Sequence, residues 1–328
     1  MLSEKLDEID CRIVKELLKD GRKSFSAIAN ECKVTSATIS DRFRKLEELG
    51  VIAGSTILYN CSIFGYRGLA TLLLNVESQH VEEVFERLQK NPTIFAKRQY
   101  NVEHNIIIIT VWKSPRDLDI VKETIRRQNP ILECKTYLWT DIRNTPENLS
   151  IGTYKENKTT QTKKIARKKI EIDKIDTQIV QKLISNGQMP FRKIAQEIGI
   201  STDTVSKRYN KLKENNLIRA TIQVNPATLG YQAIVDFSLA FTTHKEINSV
   251  IEKLLQIPNI TYIVKVEGDF DLHIAALTKD ISEVLAINQQ IMKIPNIKKL
   301  EAALRKVPPA WPSPGQQIST FGQGIALN

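Results

Sequence analysis

The chain contains the same pattern twice, 166 residues apart, and this duplication is the feature that most constrains its fold. Between residues 7–52 and residues 173–218, 18 of 46 positions are identical. The identical pairs include a glycine, an aromatic residue and an arginine: Gly21 and Gly187, Phe25 and Phe191, Arg42 and Arg208. A spacing this long indicates a duplicated multi-domain segment, because solenoid repeats have periods of about 20–50 residues.

Length and composition indicate a soluble protein of several domains. At 328 residues the chain exceeds what one hydrophobic core usually covers, and it is 41% hydrophobic and 26% charged. The apolar run at 106–112 is too short to span a bilayer. The first ten residues, MLSEKLDEID, are acidic where a signal peptide is basic and then apolar. We therefore expect a cytoplasmic protein that does not associate with membranes.

The cysteines and histidines do not form a metal-binding pattern. There are four of each, and no CxxC pair or Cys/His spacing typical of zinc is present. We expect reduced, mostly buried thiols, no catalytic residues, no metal and no cofactor.

The positive charge is concentrated between the two copies. Residues 151–170 hold seven Lys and Arg against one Glu, which accounts for +6 of the net charge of +10. Such a block resists folding and attracts polyanions, so it is either a solvated tether or a segment that contacts phosphates. In the second case the candidate residues are Lys163, Lys164 and Lys168.

The first part of each copy is predicted to form three short helices. In the first copy, Asp7 is a suitable N-cap and Gly21 is expected to end the first helix. A second short helix and a capped third helix follow, and the second copy repeats this order with Gly199 in the tight turn. This order predicts a helix-turn-helix, and a three-helix bundle without DNA binding is the alternative.

The polar face of each third helix carries short hydroxyls and long cations, which are the groups that base edges and phosphates require. The candidate DNA-binding residues are Ser36, Thr38, Ser40, Arg42, Arg44 and Lys45 in the first copy, and Ser201, Thr202, Thr204, Lys207, Arg208 and Lys211 in the second. Arg42 and Arg208 could instead pack within the bundle. Residues 7–52 hold nine bases and nine acids, whereas residues 173–218 hold eight and five. We therefore expect the second copy to bind DNA more strongly.

The second part of each copy alternates strands and helices in the order βαββαβ, which is ferredoxin-like. The fold class is therefore α+β: two copies of a winged-type helix-turn-helix domain followed by a βαββαβ domain. A four-stranded sheet with helices on one face leaves the other face to be covered, and a second copy can supply the cover. The predicted domains are 1–54 and 171–220 (helix-turn-helix), 55–142 and 221–307 (ferredoxin-like), a basic linker 143–170 and a Pro-rich tail 308–328.

This order of domains, together with several short motifs, resembles the Lrp/AsnC (feast/famine) family of transcription regulators. The openings LDEIDCRIVKELLKDGR and EIDKIDTQIVQKLISNG look like that family's first helix, and NPATLG at 225–230 resembles its linker. VEGDFD at 266–271 is similar to the Gly-x-aromatic-Asp signature of its regulatory domain. The likeness covers about residues 4–142 and 170–307.

The resemblance implies an amino-acid effector at the loop that carries this signature, held by Val266, Gly268, Asp269 and Asp271. The alternative for Asp271 is a role in the turn or in strand pairing. The first copy departs from the signature with NVEHN at 101–105, so an effector site is not expected there.

The resemblance also implies a partner and an assembly. Double-stranded DNA is the expected partner, and the chain is expected to act as a covalent dimer whose recognition helices lie about 34 Å apart. Pairing of two chains into a larger homo-oligomer is the other arrangement. Two rival functions remain open. Siroheme decarboxylases share this architecture, with His273 as the residue of interest. The other rival is a non-sensing architectural DNA binder.

Overall fold

The structure, a computed structural model, describes residues 6–91, 93–100, 102–127, 130–151 and 171–319. The described chain forms two compact units. One contains both helix-turn-helix segments and the tail residues 308–319, and the other contains both βαββαβ segments. In these ranges no helix has the length and apolar character needed to cross a membrane.

Among its described residues, the helix-turn-helix unit contains six α-helices, three from each copy. We call the three helices of the first copy the first head and those of the second copy the second head. The first head consists of α1 (Glu8–Lys19), α2 (Phe25–Cys32) and α3 (Ser36–Glu48), and the second of α6 (Lys174–Ser185), α7 (Phe191–Ile198) and α8 (Thr202–Glu214). Asp7 and Asp173 begin α1 and α6 with capping boxes, as the sequence predicts for Asp7. The predicted helices and their order are confirmed.

The tight turn before each recognition helix adopts the same left-handed conformation in both copies. Gly199 has φ 74°, and Lys33 occupies the equivalent position with φ 56°. The non-glycine residue in the first copy is therefore accommodated without a change of backbone geometry.

A two-stranded antiparallel ladder joins the two heads about a pseudo-twofold axis. Strands β1 (Ile52–Asn60) and β6 (Ile218–Val224) pair with Thr56 opposite Thr221. Thr56 Oγ1 donates a hydrogen bond to Ile184 O at 2.8 Å, and Thr221 Oγ1 donates to Leu18 O at 2.9 Å. Because Ile184 lies 166 residues after Leu18, these are the same contact made twice, once in each direction.

Gly21 and Gly187 have a different role from the helix stop that the sequence suggested for Gly21. Helix α1 already ends at Lys19, with Asp20 extended as its C-cap. A Cβ on Gly21 would lie 2.7 Å from Thr221 N, and one on Gly187 would lie 2.0 Å from Thr56 O. Each glycine is therefore needed because the strand of the other copy approaches its backbone.

Part of the Pro-rich tail is built into this unit. Trp311 is fully buried, and its backbone N–H and C=O both bond to Val224, at 2.8 and 2.9 Å. Further on, β11 (Ile318–Ser319) pairs with β1 in parallel. The tail thus covers the outer edge of β6 with Trp311 and the outer edge of β1 with β11.

The second unit contains two four-stranded sheets, each with two helices. The first copy supplies β2 (Gly68–Val76), α4 (Val81–Gln89), β3 (Ile94–Arg98), β4 (Ile106–Trp112), α5 (Pro115–Arg126) and β5 (Ile131–Asn144). The second copy supplies β7 (Ala233–Phe241), α9 (Ile247–Leu254), β8 (Ile260–Glu267), β9 (Leu272–Thr278), α10 (Ile281–Met292) and β10 (Ile297–Lys306). Each sheet packs one face against its own helices through a separate apolar core. The predicted βαββαβ order and the α+β class are confirmed.

The two sheets meet at their edges and form one closed structure. Strand β5 pairs with β8 in an antiparallel ladder, which gives the order β10-β7-β9-β8-β5-β2-β4-β3. The outermost strands are then bridged by Tyr100 and Leu304, whose backbones exchange hydrogen bonds of 2.8 and 3.1 Å. Each copy thus joins its last strand to the equivalent of β3 in the other copy, and this pairing protects the strand edges from other chains.

The predicted domain boundaries stay predictions, but the predicted linker and tail contain ordered segments. Within the linker, Leu149 and Ile151 are buried in the helix-turn-helix unit, and Tyr231 Oη donates to Ser150 O at 3.3 Å. Lys163, Lys164 and Lys168 lie outside the described residues.

Candidate DNA-binding heads and effector loop

Each recognition helix begins with a hydroxyl cap that leaves its N-terminal turn facing outwards. Thr35 caps α3 by accepting from Thr38 N, and Ser201 caps α8 by accepting from Thr204 N, both at 3.1 Å. The Ser201 and Thr204 hydroxyls are also 2.8 Å apart. Ser201 is therefore a capping residue, and its side-chain oxygen is already engaged.

The other candidates for DNA binding lie on the outer side of these helices, with two exceptions. Exposed positions are Ser36, Arg44, Lys45, Thr202, Lys207 and Lys211, and half-buried ones are Thr38, Ser40 and Thr204. Arg44 lies 3.6 Å from Asp41, and Lys211 Nζ donates to Glu171 O at 3.1 Å. Thus these side chains are at least partly accessible to solvent on their helices.

Arg42 and Arg208, the exceptions, are held against the first helix of their own head. Arg208 Nη1 lies 2.7 Å from Asp173 and 2.9 Å from Asp176, and Asp176 is completely buried. The backbone N–H of Asp176 and then Arg208 lower the pKa of Asp173. Arg42 makes the equivalent two ion pairs with Asp7 and Asp10, and its Nη1 lies 2.9 Å from Asp10 Oδ1. This arrangement favours packing within the bundle, although the DNA-binding role of both arginines stays a prediction.

The sequence contained the signal for this contact. The spacing Asp-x-x-Asp, followed by an arginine 32 residues later, occurs in both copies at Asp7, Asp10 and Arg42 and at Asp173, Asp176 and Arg208. Capping explains the two aspartates but not the buried second carboxylate, which requires a cation.

The predicted effector loop lies against the last strand of the first copy. Gly268 has φ 153°, and a Cβ on it would lie 2.6 Å from Cδ1 of Tyr137 in β5. Val266 N donates to Asp271 O at 2.9 Å and closes the loop. Phe270 is buried inside it, with Lys299 Nζ 4.7 Å from its ring centroid.

The two aspartates of the loop differ in exposure and in hydrogen bonding. Asp271 Oδ2 accepts from Phe241 N at 2.8 Å, and its Oδ1 lies 2.7 Å from His244 Nε2. Both oxygens therefore support the loop, in line with the strand-pairing alternative. Asp269 is exposed.

Tyr137 is a member of this site that the sequence motifs did not reveal. Its ring is buried, and its hydroxyl has no hydrogen-bond partner among the described residues. Burial, followed by the charge of Asp269, raises the pKa of Tyr137 to about 12. No local motif marks a contact between copies, so the only available signal was the alternation of Tyr137 and Trp139 along one strand face.

His273 lies beside Tyr137 on the inner face of the closed sheet. Its Nδ1 is 2.8 Å from Ser238 Oγ, its ring is 5.0 Å from that of Tyr137, and its Nε2 is buried without a partner in the described structure. Burial lowers the pKa of His273 to about 4, so the ring is neutral at pH 7. On the same inner face, Arg305 is bound by Asp236, with 2.8 Å from Nη2 to Oδ1.

One group in the first copy has metal-ligating atoms close together. Ligand atoms of Glu103, His104 and Glu133 lie within 4.8 Å of one another. His104 Nε2 is 2.9 Å from Glu133, and Lys135 Nζ is 3.7 Å from the same carboxylate. Because Glu103 is exposed and Lys135 competes for Glu133, this geometry fits an ordinary surface ion-pair cluster.

Comparisons with known proteins identify the class to which these heads and sheets belong. The model of the AsnC-type helix-turn-helix domain matches residues 6–47 and 172–213, and the Lrp/AsnC ligand binding domain matches residues 232–304. An uncharacterized HTH-type transcriptional regulator from Pyrococcus abyssi is 33% identical over 114 residues, which are 35% of this chain and 78% of that protein. The HTH-type transcriptional regulator FL11 from Pyrococcus furiosus is 32% identical over 114 residues, 34% of this chain and 75% of that protein.

The chain therefore belongs to the Lrp/AsnC family of HTH-type transcriptional regulators, as the motifs indicated. The matched stretch covers about three quarters of each of these relatives and about a third of this chain. The crystal structure of the siroheme decarboxylase NirDL covers 95% of this chain and 96% of that one with a TM-score of 0.65. At 16% identity, this likeness concerns the fold alone.

Proposed function

We propose that this regulator binds duplex DNA with both heads at once, as a dimer made covalent by duplication. The observation that carries the proposal is the pseudo-twofold join, in which Thr56 and Thr221 face each other and each bonds to the other copy's first helix. A duplex offers half-sites related by the same symmetry, about one helical turn or 34 Å apart. Because the copies differ in sequence, the preferred site is an imperfect palindrome.

Within each head, the position of a candidate residue along the recognition helix, α3 or α8, decides whether we assign it to bases or to phosphates. Recognition helices enter the major groove by their N-terminal end, which assigns the short hydroxyls to bases and the later cations to phosphates. The base-contacting residues are Ser36, Thr38, Ser40, Thr202 and Thr204, and the phosphate-contacting residues are Arg44, Lys45, Lys207 and Lys211. Ser201 acts through its cap. The connector lysines Lys163, Lys164 and Lys168 add sequence-independent phosphate contacts.

The charge difference between the heads predicts unequal contributions to DNA binding. The double substitution Thr204→Ala/Lys207→Ala is expected to weaken binding to the preferred duplex by about 10- to 100-fold, because it removes a hydroxyl near the bases and a phosphate-facing cation. The equivalent pair in the first head is Thr38→Ala/Asp41→Ala, which removes a hydroxyl and an anion and is expected to cost less than about 3-fold. Fluorescence anisotropy with a labelled duplex measures the affinity of both double variants. Equal losses of affinity would contradict the prediction that the second head contributes more to DNA binding.

We propose that the loop at Val266, Gly268, Asp269 and Asp271 binds an amino-acid effector. Asp269 is exposed, and its charge acts on Tyr137, whose buried hydroxyl has no hydrogen-bond partner among the described residues. An ammonium group pairs with such a carboxylate in a charge-assisted hydrogen bond. Asp271 supports the loop from behind and need not touch the ligand.

This assignment is tested with a matched pair of variants. Asp269→Asn is expected to weaken binding of the effector, found by a thermal-shift screen of the common amino acids, by about 10-fold or more. Glu103→Gln changes the equivalent residue of the first copy and is expected to leave the calorimetric affinity unchanged. Equal weakening by both variants, or no response of the wild-type protein to any amino acid, would count against an effector at this loop.

Self-association of chains is also part of the proposal. The outward side of α10 exposes Ile281, Leu285 and Met292, by 67, 53 and 60%. The equivalent positions on α5 include the charged residues Asp119 and Arg126. Three exposed apolar side chains on one side of α10 suit an isologous contact with a second chain.

The enzyme alternative is favoured by the buried Nε2 of His273, which has no hydrogen-bond partner among the residues that the structure describes. Decarboxylation of a siroheme-like substrate also requires free cations to hold its carboxylates, and Arg305 is already bound by Asp236. We therefore propose a non-enzymatic regulator. A change in the absorption spectrum of an iron tetrapyrrole on titration with the protein would favour the enzyme instead.

A further inference from the structure

Arg22 makes a contact between the heads that the second copy does not reproduce. It lies in the turn between α1 and α2 of the first head. Its Nε donates to Gly187 O at 2.9 Å, and its Nη2 donates to Met189 O at 2.6 Å. Both carbonyls belong to the turn between α6 and α7 of the second head.

The same guanidinium lies on two aromatic rings of the second head. Its central carbon is 4.3 Å from the ring centroid of Phe191 and 5.2 Å from that of Tyr209. Phe191 begins α7, whereas Tyr209 is a buried residue of the recognition helix α8. One side chain of the first head therefore touches the turn, the second helix and the recognition helix of the second head.

The equivalent residue of the second copy is Gln188, which is uncharged. Its amide donates to Gly21 O at 2.8 Å, so the carbonyl contact is kept in this direction. A glutamine cannot supply the cation or the two-pronged donor fork that Arg22 provides. The pseudo-twofold join is thus symmetric in its backbone and asymmetric in this side chain.

An ion pair next to Arg22 also connects the first head to the recognition helix of the second head. Lys213, in the last turn of α8, lies 2.8 Å from the carboxylate of Asp20, the C-cap residue of α1. Asp20 also accepts the backbone N–H of Arg22 at 3.1 Å. The end of the second recognition helix is therefore fixed to the residues that position Arg22.

We propose that Arg22 is a positioning residue that fixes the second recognition helix relative to the first head, and so sets the spacing of DNA half-sites that the chain accepts. Planar guanidinium groups combine stacking with directed donation to carbonyls, which restricts rotation as well as distance. The inference rests on the proposed two-headed DNA binding and gives the first head a role beyond its own base contacts. The first head would orient the stronger one.

The test compares Arg22→Gln, which installs the residue of the equivalent position, with Arg12→Gln as a control. Arg12 lies on α1 of the same head and makes an exposed ion pair with Glu31 at 3.4 Å. Affinities are measured for the preferred duplex, for the same duplex with about half a helical turn, ~5 base pairs, inserted between its half-sites, and for the isolated second half-site.

For the wild type, the insertion is expected to reduce affinity by at least about 10-fold, because the heads can no longer reach both half-sites together. In Arg22→Gln, the affinities for the preferred duplex and for the duplex with the insertion are expected to differ by no more than about 3-fold. Its affinity for the isolated second half-site is expected to stay within about 2-fold of the wild-type value. Arg22→Lys, which keeps the charge but loses the fork, is expected to fall between the two. The Arg12→Gln protein should behave as the wild type does.

An unchanged spacing ratio in Arg22→Gln would overturn the inference, as would an equal loss on the isolated half-site. Hydrogen exchange in the absence of DNA gives a second readout. Amides of α8 are expected to exchange faster in Arg22→Gln and not in Arg12→Gln, and equal protection would also overturn the inference. If the wild type showed no specific DNA binding while α8 still depended on Arg22, the proposed function would fail and the coupling would stand.

Discussion

Replacing Gly187 by alanine is expected to destabilise the helix-turn-helix unit by about 3 kcal/mol or more. The new Cβ would lie 2.0 Å from Thr56 O and 2.6 Å from Thr56 C, and both are backbone atoms of β1 that cannot rotate away. Relief requires the strand to move, which disturbs the hydrogen bond from Thr56 Oγ1 to Ile184 O. Urea unfolding followed by far-ultraviolet circular dichroism measures the loss.

Gly199→Ala is the matched control for this substitution. Gly199 has φ 74°, and nothing lies within 4 Å of the position that a Cβ would occupy, so only the backbone preference of glycine is lost. That loss is expected to be about 1 kcal/mol. If Gly187→Ala lowered the free energy of unfolding no more than Gly199→Ala does, the close approach of β1 to Gly187 would be contradicted.

Replacing Trp311 by alanine is expected to lower the free energy of unfolding of the same unit by about 3–5 kcal/mol, the range for deleting a buried large aromatic residue. Trp311 has no exposed surface, and its backbone forms the bridge to Val224 at the outer edge of β6. Loss of the indole leaves a cavity where the tail docks against this strand. The midpoint of urea denaturation reports this change.

Trp311→Phe provides the comparison, because it keeps an aromatic ring in the same place and should recover much of the loss. The neighbouring bond from Gln223 Nε2 to Pro312 O, at 2.8 Å, depends on the same docking. If Trp311→Ala left the denaturation midpoint where it was, the tail would not be an integral part of the unit.

The fold could be predicted well because the duplication repeats each local signal. Capping aspartates, helical apolar spacing and alternating strands are short-range patterns, and their agreement in two copies removed most alternatives. The heads followed from the N-cap at Asp7 and the repeated helical spacing, and the βαββαβ order followed from the alternation of strands and helices in each copy.

What could not be predicted depends on contacts between the copies. The role of Gly187 comes from a strand 131 positions earlier in the chain, at Thr56, and a glycine after a helix is more often a helix stop. Likewise, Tyr137 reaches the effector loop only because β5 pairs with β8. Sequence patterns report on neighbours along the chain, so partners fixed by tertiary pairing leave no local signal.

The candidate DNA-binding residues were placed on the expected helices, but their individual roles needed coordinates. Arg42 and Arg208 are cations of the kind that contact phosphates, and in the structure they are paired with aspartates of α1 and α6, which the helical spacing does not indicate. Periodicity places a side chain on a helix face, but it does not show which nearby carboxylate holds it.

The most direct test of two-headed DNA binding is selection of bound sequences from random duplex DNA by the full chain. We predict a bipartite site with two related but unequal half-sites, centred about 10 base pairs or one helical turn apart. Selection of a single contiguous half-site, or of sequences with no common pattern, would contradict the proposal that the duplicated chain is a covalent dimer with two cooperating heads.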